Sequence, residues 1–416
     1  MPSNSSAHAA PWGLGLTVAL VVAGCSVQAP AARDQGSTAT RSAAPAGSSS
    51  SAGSSAPADP TPSTATAPTV DFVPAQGAKG VDPAATVSVR SAGGNLAAVT
   101  VRDEAGAEVE GRLDGDTWRP ARRLRPATSY TVSAEVKGQD GAAKTATSRF
   151  TTVRPTTVAK YVLAPMDDVV GVGMPAMVTF SSSVATPQQR AEVEKHLKVT
   201  TEPATTGSWG WLSDRRLMWR PESYWKPGTK VTVEAQLAGL QTGEGKWVGR
   251  DDSETFTIGR SQISKVDMKT HQMTVVRDGQ VVRTIPVTTG KDGFTTRSGT
   301  KVIMEKVGHM TMDSATVGIP KGHPEYYKLD TEWNMRVTTT GEFLHAAPWS
   351  QWAQGRRNVS HGCTNMSMAN ASWMFQSSMV GDVVEFTGSD RAFRDGEGIT
   401  AWQYSYADWT KKSALR

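Results

Sequence analysis

Cysteine is scarce in this sequence: 416 residues hold only Cys25 and Cys363. Two cysteines so far apart exclude a disulfide framework, so any folded domain has to rest on ordinary apolar cores. Long hydrophobic runs are also missing. The longest, Gly13 to Ala23, falls short of the roughly 20 apolar residues a bilayer-spanning helix needs. Charge of one sign is not concentrated anywhere. Lys and Arg number 44 against 39 Asp and Glu, a net charge of +5 without a long basic block, so the chain lacks a nucleic-acid footprint. Between residues 26 and 68 there is no aromatic residue, and Arg33, Asp34, Arg41 and Asp59 are the only charges. Such a stretch cannot bury enough apolar area to offset its ordering entropy.

What is present falls into six segments. Residues 1–25 are expected to be a lipoprotein signal peptide: the short apolar run ends in Val22-Ala23-Gly24-Cys25, which resembles the bacterial lipoprotein box, although no Lys or Arg precedes the run. Cys25 would then carry lipid and Cys363 would be the sole free thiol. Residues 26–68 are expected to be a disordered Ser/Ala/Thr/Pro linker. From there the pattern turns to short alternating strands such as Tyr130-Thr131-Val132-Ser133-Ala134-Glu135-Val136, punctuated by Gly93-Gly94, Asp114-Gly115 and Asp140-Gly141. The plan repeats: Trp118-Arg119-Pro120 is echoed by Trp219-Arg220-Pro221, and Phe150-Thr151-Thr152 by Phe256-Thr257-Ile258. Two immunoglobulin-like β-sandwiches without an inter-sheet disulfide are expected at 69–153 and 154–258. The second has a short helix from Pro187. A β-rich domain is expected at 259–388, with an Arg277-Asp278-Gly279-Gln280 hairpin turn, a helix capped by Ser367 and a closing strand at 381–386. The tail, 389–416, carries Phe393, Trp402, Tyr404, Tyr406 and Trp409. Such aromatic density implies that it docks across the third domain and the second sandwich.

The reactive stretch runs from His345 to Cys363. A thiol needs help to become a thiolate, and an adjacent imidazole supplies it. Two candidates exist. His361 shares a face with Cys363 if the segment is extended, and His345 lies 18 positions upstream (363 − 345) across a polar loop that could return the chain alongside. Gly362 allows close backbone approach, and neighbouring N–H groups suit an oxyanion hole. The rival readings are a zinc site from His345, His361 and Cys363, and an inert structural cysteine. The order His before Cys is the reverse of papain-like enzymes.

His345 followed by Ser360-His361-Gly362-Cys363-Thr364-Asn365 resembles the signature of the L,D-transpeptidases (YkuD-type catalytic domain). The layout of a lipoprotein-like start, tandem immunoglobulin-like domains, a catalytic domain and an aromatic tail resembles the mycobacterial type. The resemblance implies a mainly β fold with one helix after the nucleophile. It also implies a reaction: Cys363 attacks a tetrapeptide stem of peptidoglycan, D-Ala leaves as a thioester forms, and the side-chain amine of an acceptor stem completes a third-to-third cross-link. By the same resemblance His345 is the base, oriented by a main-chain carbonyl, and His361, Gly362 and Asn365 shape the pocket. Backbone N–H groups of 362–364 hold the oxyanion. Met312, Tyr327, Trp349, Ser360, Thr364 and Asn365 meet the substrate, with Met312 and Tyr327 as its lid. No metal or cofactor is required, carbapenems acylate the cysteine, and the protein sits on the outer membrane face, lipid-anchored and turned to the cell wall. Two departures stand out. Ala346 replaces the usual Ser or Gly after the histidine, and Thr296-Arg297-Ser298-Gly299 stands where many relatives have Thr-Pro-x-Gly, which touches only local loop geometry on this reading. Alternatives at the same site are an L,D-carboxypeptidase or a non-catalytic cell-wall binding protein.

Overall fold

The computed structural model describes residues 68–416; Cys25 and the signal and linker segments lie outside the described residues. Strands dominate throughout, as the alternating patterns require. The segment Ser129–Gly138 buries Tyr130, Val132, Ala134 and Val136 and turns the residues between them outward. It lies centrally in a three-stranded antiparallel sheet between Gly94–Asp103 and Ala143–Thr151. A four-stranded sheet faces it, in the order Thr69–Val73, Val87–Ala92, Thr117–Pro120, Gly111–Asp114. Val87, Val89, Val101, Trp118, Tyr130 and Phe150 fill the space between them.

The second sandwich has two four-stranded sheets and a small three-stranded one. Its helix, Pro187–Lys195, starts in a capping box: Thr186 Oγ accepts from the Gln189 N–H, and the Gln189 side chain returns to the Thr186 N–H. Main-chain bonds weld this sandwich to the third domain, with Gly171 N–H donating to Val380 O (2.8 Å) and Gly173 N–H to Gly381 O (2.9 Å).

Two sheets build the third domain. One has the order Gln280–Pro286, Gln272–Arg277, Gln262–Asp267, Val383–Thr387, Gly299–Val302. Its first hairpin turns through Asp278 and Gly279, both at positive φ (49° and 83°), the geometry of a type I′ turn. The other sheet carries the site: Glu305–Asp313, Lys328–Arg336, Phe343–Ala346, Thr364–Met366. The helix Met368–Ser377, capped by Ser367 accepting from the Asn370 N–H, buries Ala371 and Met374 in the core the two sheets share. The aromatic tail lies across both neighbours. Trp409 is fully buried in the second sandwich's core, and its indole N–H donates to Ser208 O (2.9 Å). The Trp402 indole donates to Gly173 O (2.7 Å). No helix among the described residues is long and apolar enough to cross a membrane.

Candidate active site

The 18 positions between the histidine and the cysteine span a connection between two parallel strands, Phe343–Ala346 and Thr364–Met366, with Leu344 opposite Thr364 and His345 opposite Asn365. Side chains alternate, so the register sorts them. Leu344, Ala346 and Met366 enter the core, whereas Phe343 and Cys363 meet Met312 on the opposite face. His345, Asn365 and Cys363 line one cleft of about 320 Å³ on that face, beside Met312, Tyr327 and Trp349. The strand pair thus brings together what the sequence separates.

His345 is nearly sealed from solvent at 4% exposure. Its Nδ1 lies 2.8 Å from the Ala346 carbonyl, which can only accept, so Nδ1 carries the proton and Nε2 is left as the base. Ala346 thus provides the orienting contact through its main chain. Burial pushes the imidazole pKa down to about 4, against the Ala346 carbonyl and the Asn365 side chain, which favour the charged form. Burial pushes the Cys363 thiol up to about 12, against the nearby Phe343 main chain. Its S–H points to the Gly341 carbonyl at 3.6 Å. Both groups are therefore neutral at rest, and the proton has to move as the sulfur attacks.

The loop before the cysteine is not extended. Gly362 sits at φ 124°, a conformation L side chains rarely adopt, and His361 lines the same cleft as Cys363. His361 Nε2 lies 2.7 Å from Glu325, and its ring packs against Phe294 and Tyr327 at the cleft mouth. Glu325 is also held by Lys291 (2.7 Å), and the hydrogen bonds from Lys291 and His361 keep its carboxyl below the usual range. Ser360 lines the cleft but is occupied internally, accepting from the Gly362 N–H (3.1 Å) and donating to Cys363 O (2.6 Å). This corrects one expectation: the Gly362 N–H is already used, and Gly362 itself does not line the cleft. Among the described residues the Cys363 N–H has no partner and is the available donor there. Thr364 is a second correction. Its register partner is Leu344, so it faces away from the cleft and is buried.

Asn365 lines the cleft and donates to Ser350 Oγ (3.2 Å), while its buried side-chain carbonyl has no hydrogen-bond partner among the described residues. Met312 is buried in the small cluster with Phe343 and Cys363; Tyr327 packs on it half-buried, its phenol raised to about 12 chiefly by burial. Trp349 and Trp352 stand about half exposed (51% and 54%) on the opposite rim. Trp352, Leu329 and Val359 were missed as cleft residues. A second exposed tryptophan three positions from the first was the available signal for Trp352. Glu325 and Lys291 carried no signal, since their contacts with each other and with His361 are set by the fold.

Comparison with known proteins gives two family matches. The description "Bacterial Ig domain" fits residues 78–241, and "L,D-transpeptidase catalytic domain" fits residues 261–386. L,D-transpeptidase 2 of Mycobacterium tuberculosis is 38% identical over 343 residues, which cover 81% of this chain and 83% of the relative. L,D-transpeptidase 5 of the same species is 36% identical over 362 residues, 84% of this chain and 78% of the relative. A solved structure of M. tuberculosis L,D-transpeptidase 1 aligns over 56% of this chain and all of its own, at 34% identity and a TM-score of 0.44. The likeness to the first two relatives runs through most of both chains, and the catalytic match falls on the sheets that carry His345 and Cys363: the chain belongs to the L,D-transpeptidase family.

Proposed function

We propose that this protein cross-links peptidoglycan, with Cys363 as nucleophile and His345 as base. The observation that carries the reading is the parallel strand pair that sets the two side chains on one face of a largely apolar cleft. The donor stem's carbonyl enters beside Cys363. As the S–C bond forms, the thiol proton passes to His345 Nε2, and the Cys363 N–H faces the developing oxyanion. Collapse expels D-Ala, whose amine takes the proton from His345, leaving a thioester. The side-chain amine of an acceptor stem then attacks, losing its proton to His345, and the thiol is regenerated. The unpartnered Asn365 carbonyl is placed to accept an N–H from a bound stem. Met312, Tyr327 and the two exposed tryptophans frame the cleft as its apolar walls. The same thiol is acylated by carbapenems. The lipoprotein-like Val22–Cys25 segment supports an extracytoplasmic, membrane-anchored position through lipid on Cys25; a Cys25→Ser chain is expected to leave the membrane fraction.

Incubation with purified tetrapeptide muropeptides is expected to yield dimers by mass analysis. Tripeptides alone would make the protein a carboxypeptidase, and no change would leave it a binding protein. Intact mass should show one carbapenem adduct that is lost in Cys363→Ala. The pH dependence follows from burial. With the His345 pKa near 4 the base is neutral from pH 5 upward, so the acylation rate falls only as pH drops through about 4. Because the unfolded imidazole titrates near 6.5, stability from keeping His345 neutral is full above that pH. It is lost as pH falls from 6.5 toward 4, by about 3 kcal/mol in all. Equilibrium urea unfolding of wild type and His345→Gln between pH 7 and 4 checks this: the variant should lack that part of the slope.

A further inference from the structure

Under the nucleophile lies a buried network of four charges. Glu342, 4% exposed, receives Lys301 Nζ at 2.6 Å on one oxygen and Arg297 Nη1 at 2.9 Å on the other. Arg297 Nε reaches Glu397 at 2.8 Å, in the C-terminal segment. Two cations meet two carboxylates, so the network is balanced, a condition that buried ions require.

Its position matters more than its energy. Glu342 lies between Gly341, whose carbonyl faces the Cys363 thiol, and Phe343, which packs against it. Its Cγ also lies under Gly362, 3.6 Å from where a Cβ would stand. Arg297 follows Thr296, whose hydroxyl donates to the Gly362 carbonyl (2.7 Å) and accepts from the Gly290 N–H (2.8 Å). The 295–298 stretch is thus held to the cysteine loop on one side. On the other it is held to the C-terminal segment: Ser298 N–H donates to Arg391 O, Phe393 N–H to Ser298 O, and the Arg391 guanidinium to Thr295 O. Glu397 closes its own turn by accepting from the Arg394 N–H (2.8 Å), and Thr339 N–H donates to Glu397 O. Among the described residues Arg297 is the side chain that hydrogen-bonds to both the C-terminal segment and Glu342.

We propose that Arg297 is a positioning residue that ties the C-terminal segment to the loop bearing Cys363, by bridging Glu397 and Glu342. It touches no substrate; it acts by fixing the backbone on both sides of the thiol. The departure at this position then reaches beyond local loop geometry. The inference rests on Cys363 being the reactive thiol, and it extends the proposed function from the cleft to the tail behind it.

The test uses the full chain with Arg297→Gln, Glu397→Gln, their double variant and Arg297→Lys. The readouts are carbapenem acylation of Cys363, split into its limiting rate and its half-saturating concentration, and alkylation of Cys363 by iodoacetamide. Glu397 is partly exposed (22%), so its neutral variant tests the bridge with the least threat to folding. Each single glutamine variant should lower the limiting rate about tenfold at unchanged half-saturation, the scale of a sub-ångström misplacement. The double variant should be no worse than either single, and Arg297→Lys should recover most of the rate. Limiting rates within twofold of wild type in the folded variants, or losses that multiply in the double, would overturn the proposal. A wild type that alkylates but takes no carbapenem adduct would count against the proposed function instead, while the alkylation rates of the variants would still decide on Arg297.

Discussion

The same tripeptide was put to two uses. Trp118-Arg119-Pro120 and Trp219-Arg220-Pro221 lie on matching strands of the two sandwiches, each the second strand of an antiparallel hairpin. In both, the tryptophan is buried and its ring covers the glycine that opens the preceding strand, Gly111 or Gly207, where a Cβ would clash. The arginines then part company. Arg119 is exposed. Arg220 is 1% exposed, donates to the carbonyls of Pro221, Glu222 and Tyr404, and lies over the rings of Trp402, Tyr406 and Trp409. Burial lowers its pKa to about 10, still well above neutrality, so it stays charged among carbonyl dipoles and aromatic faces. The difference extends to whole domains. The first sandwich's core is made of its own residues alone. The second sandwich's core takes in Val302 and Val383 from the catalytic domain and Ile399, Ala401 and Trp409 from the tail. The joints differ in kind as well. Ion pairs at 3.6–3.7 Å, Arg123 to Glu192 and Arg122 to Asp251, link the sandwiches, whereas main-chain hydrogen bonds join the second to the catalytic domain. One sandwich keeps a core of its own, and the other shares its core with the catalytic domain and the tail.

The largest test of that contrast is Trp409→Ala. Emptying a fully buried indole site costs about 3–5 kcal/mol. At a few degrees per kcal/mol for a unit this large, the shared melting transition of second sandwich, catalytic domain and tail should fall by roughly 10 °C. The first sandwich's transition should stay in place in calorimetry. If both moved together, the two sandwiches would be one cooperative unit and the contrast would fail. Next comes Arg220→Ala. It removes three hydrogen bonds to carbonyls and the stacked cation, an expected loss of about 2–4 kcal/mol. Urea unfolding monitored by tryptophan fluorescence reads it directly, and a loss below 1 kcal/mol would show that the tail docks without the arginine.

How far the sequence foretold all this depends on the range of each signal. Alternation within a strand is local, so the sandwiches, the Asp278-Gly279 hairpin and the Ser367 cap were legible. The motif around Cys363 was legible too, whereas the strand register that sets His345 opposite Asn365 and beside Cys363 appears only in the fold. The assignment of Thr364 and Gly362 to the cleft failed because it took neighbours in sequence for neighbours in space. A strand turns alternate residues away, and a positive φ at Gly362 breaks the extended reading. The Arg297–Glu342–Lys301–Glu397 cluster left no trace, because its members come from three separate segments and ion pairing has no sequence period. Nor could composition say which of two identical Trp-Arg-Pro tripeptides would be covered by the tail.

The smallest expected effect is therefore the most pointed. Arg119→Ala alters the same residue of the same tripeptide as Arg220→Ala. An exposed side chain away from any cap, core or network changes stability by no more than about 0.5 kcal/mol. Urea unfolding of the full chain should return the wild-type midpoint, and carbapenem acylation of Cys363 should keep its rate. If Arg119→Ala instead lost as much as Arg220→Ala, the arginine would matter to the hairpin itself, wherever it occurs, and the tail would be incidental. A flat result beside a large loss at Arg220 places the cost in what covers the arginine: the aromatic residues after position 401, which only the second sandwich receives.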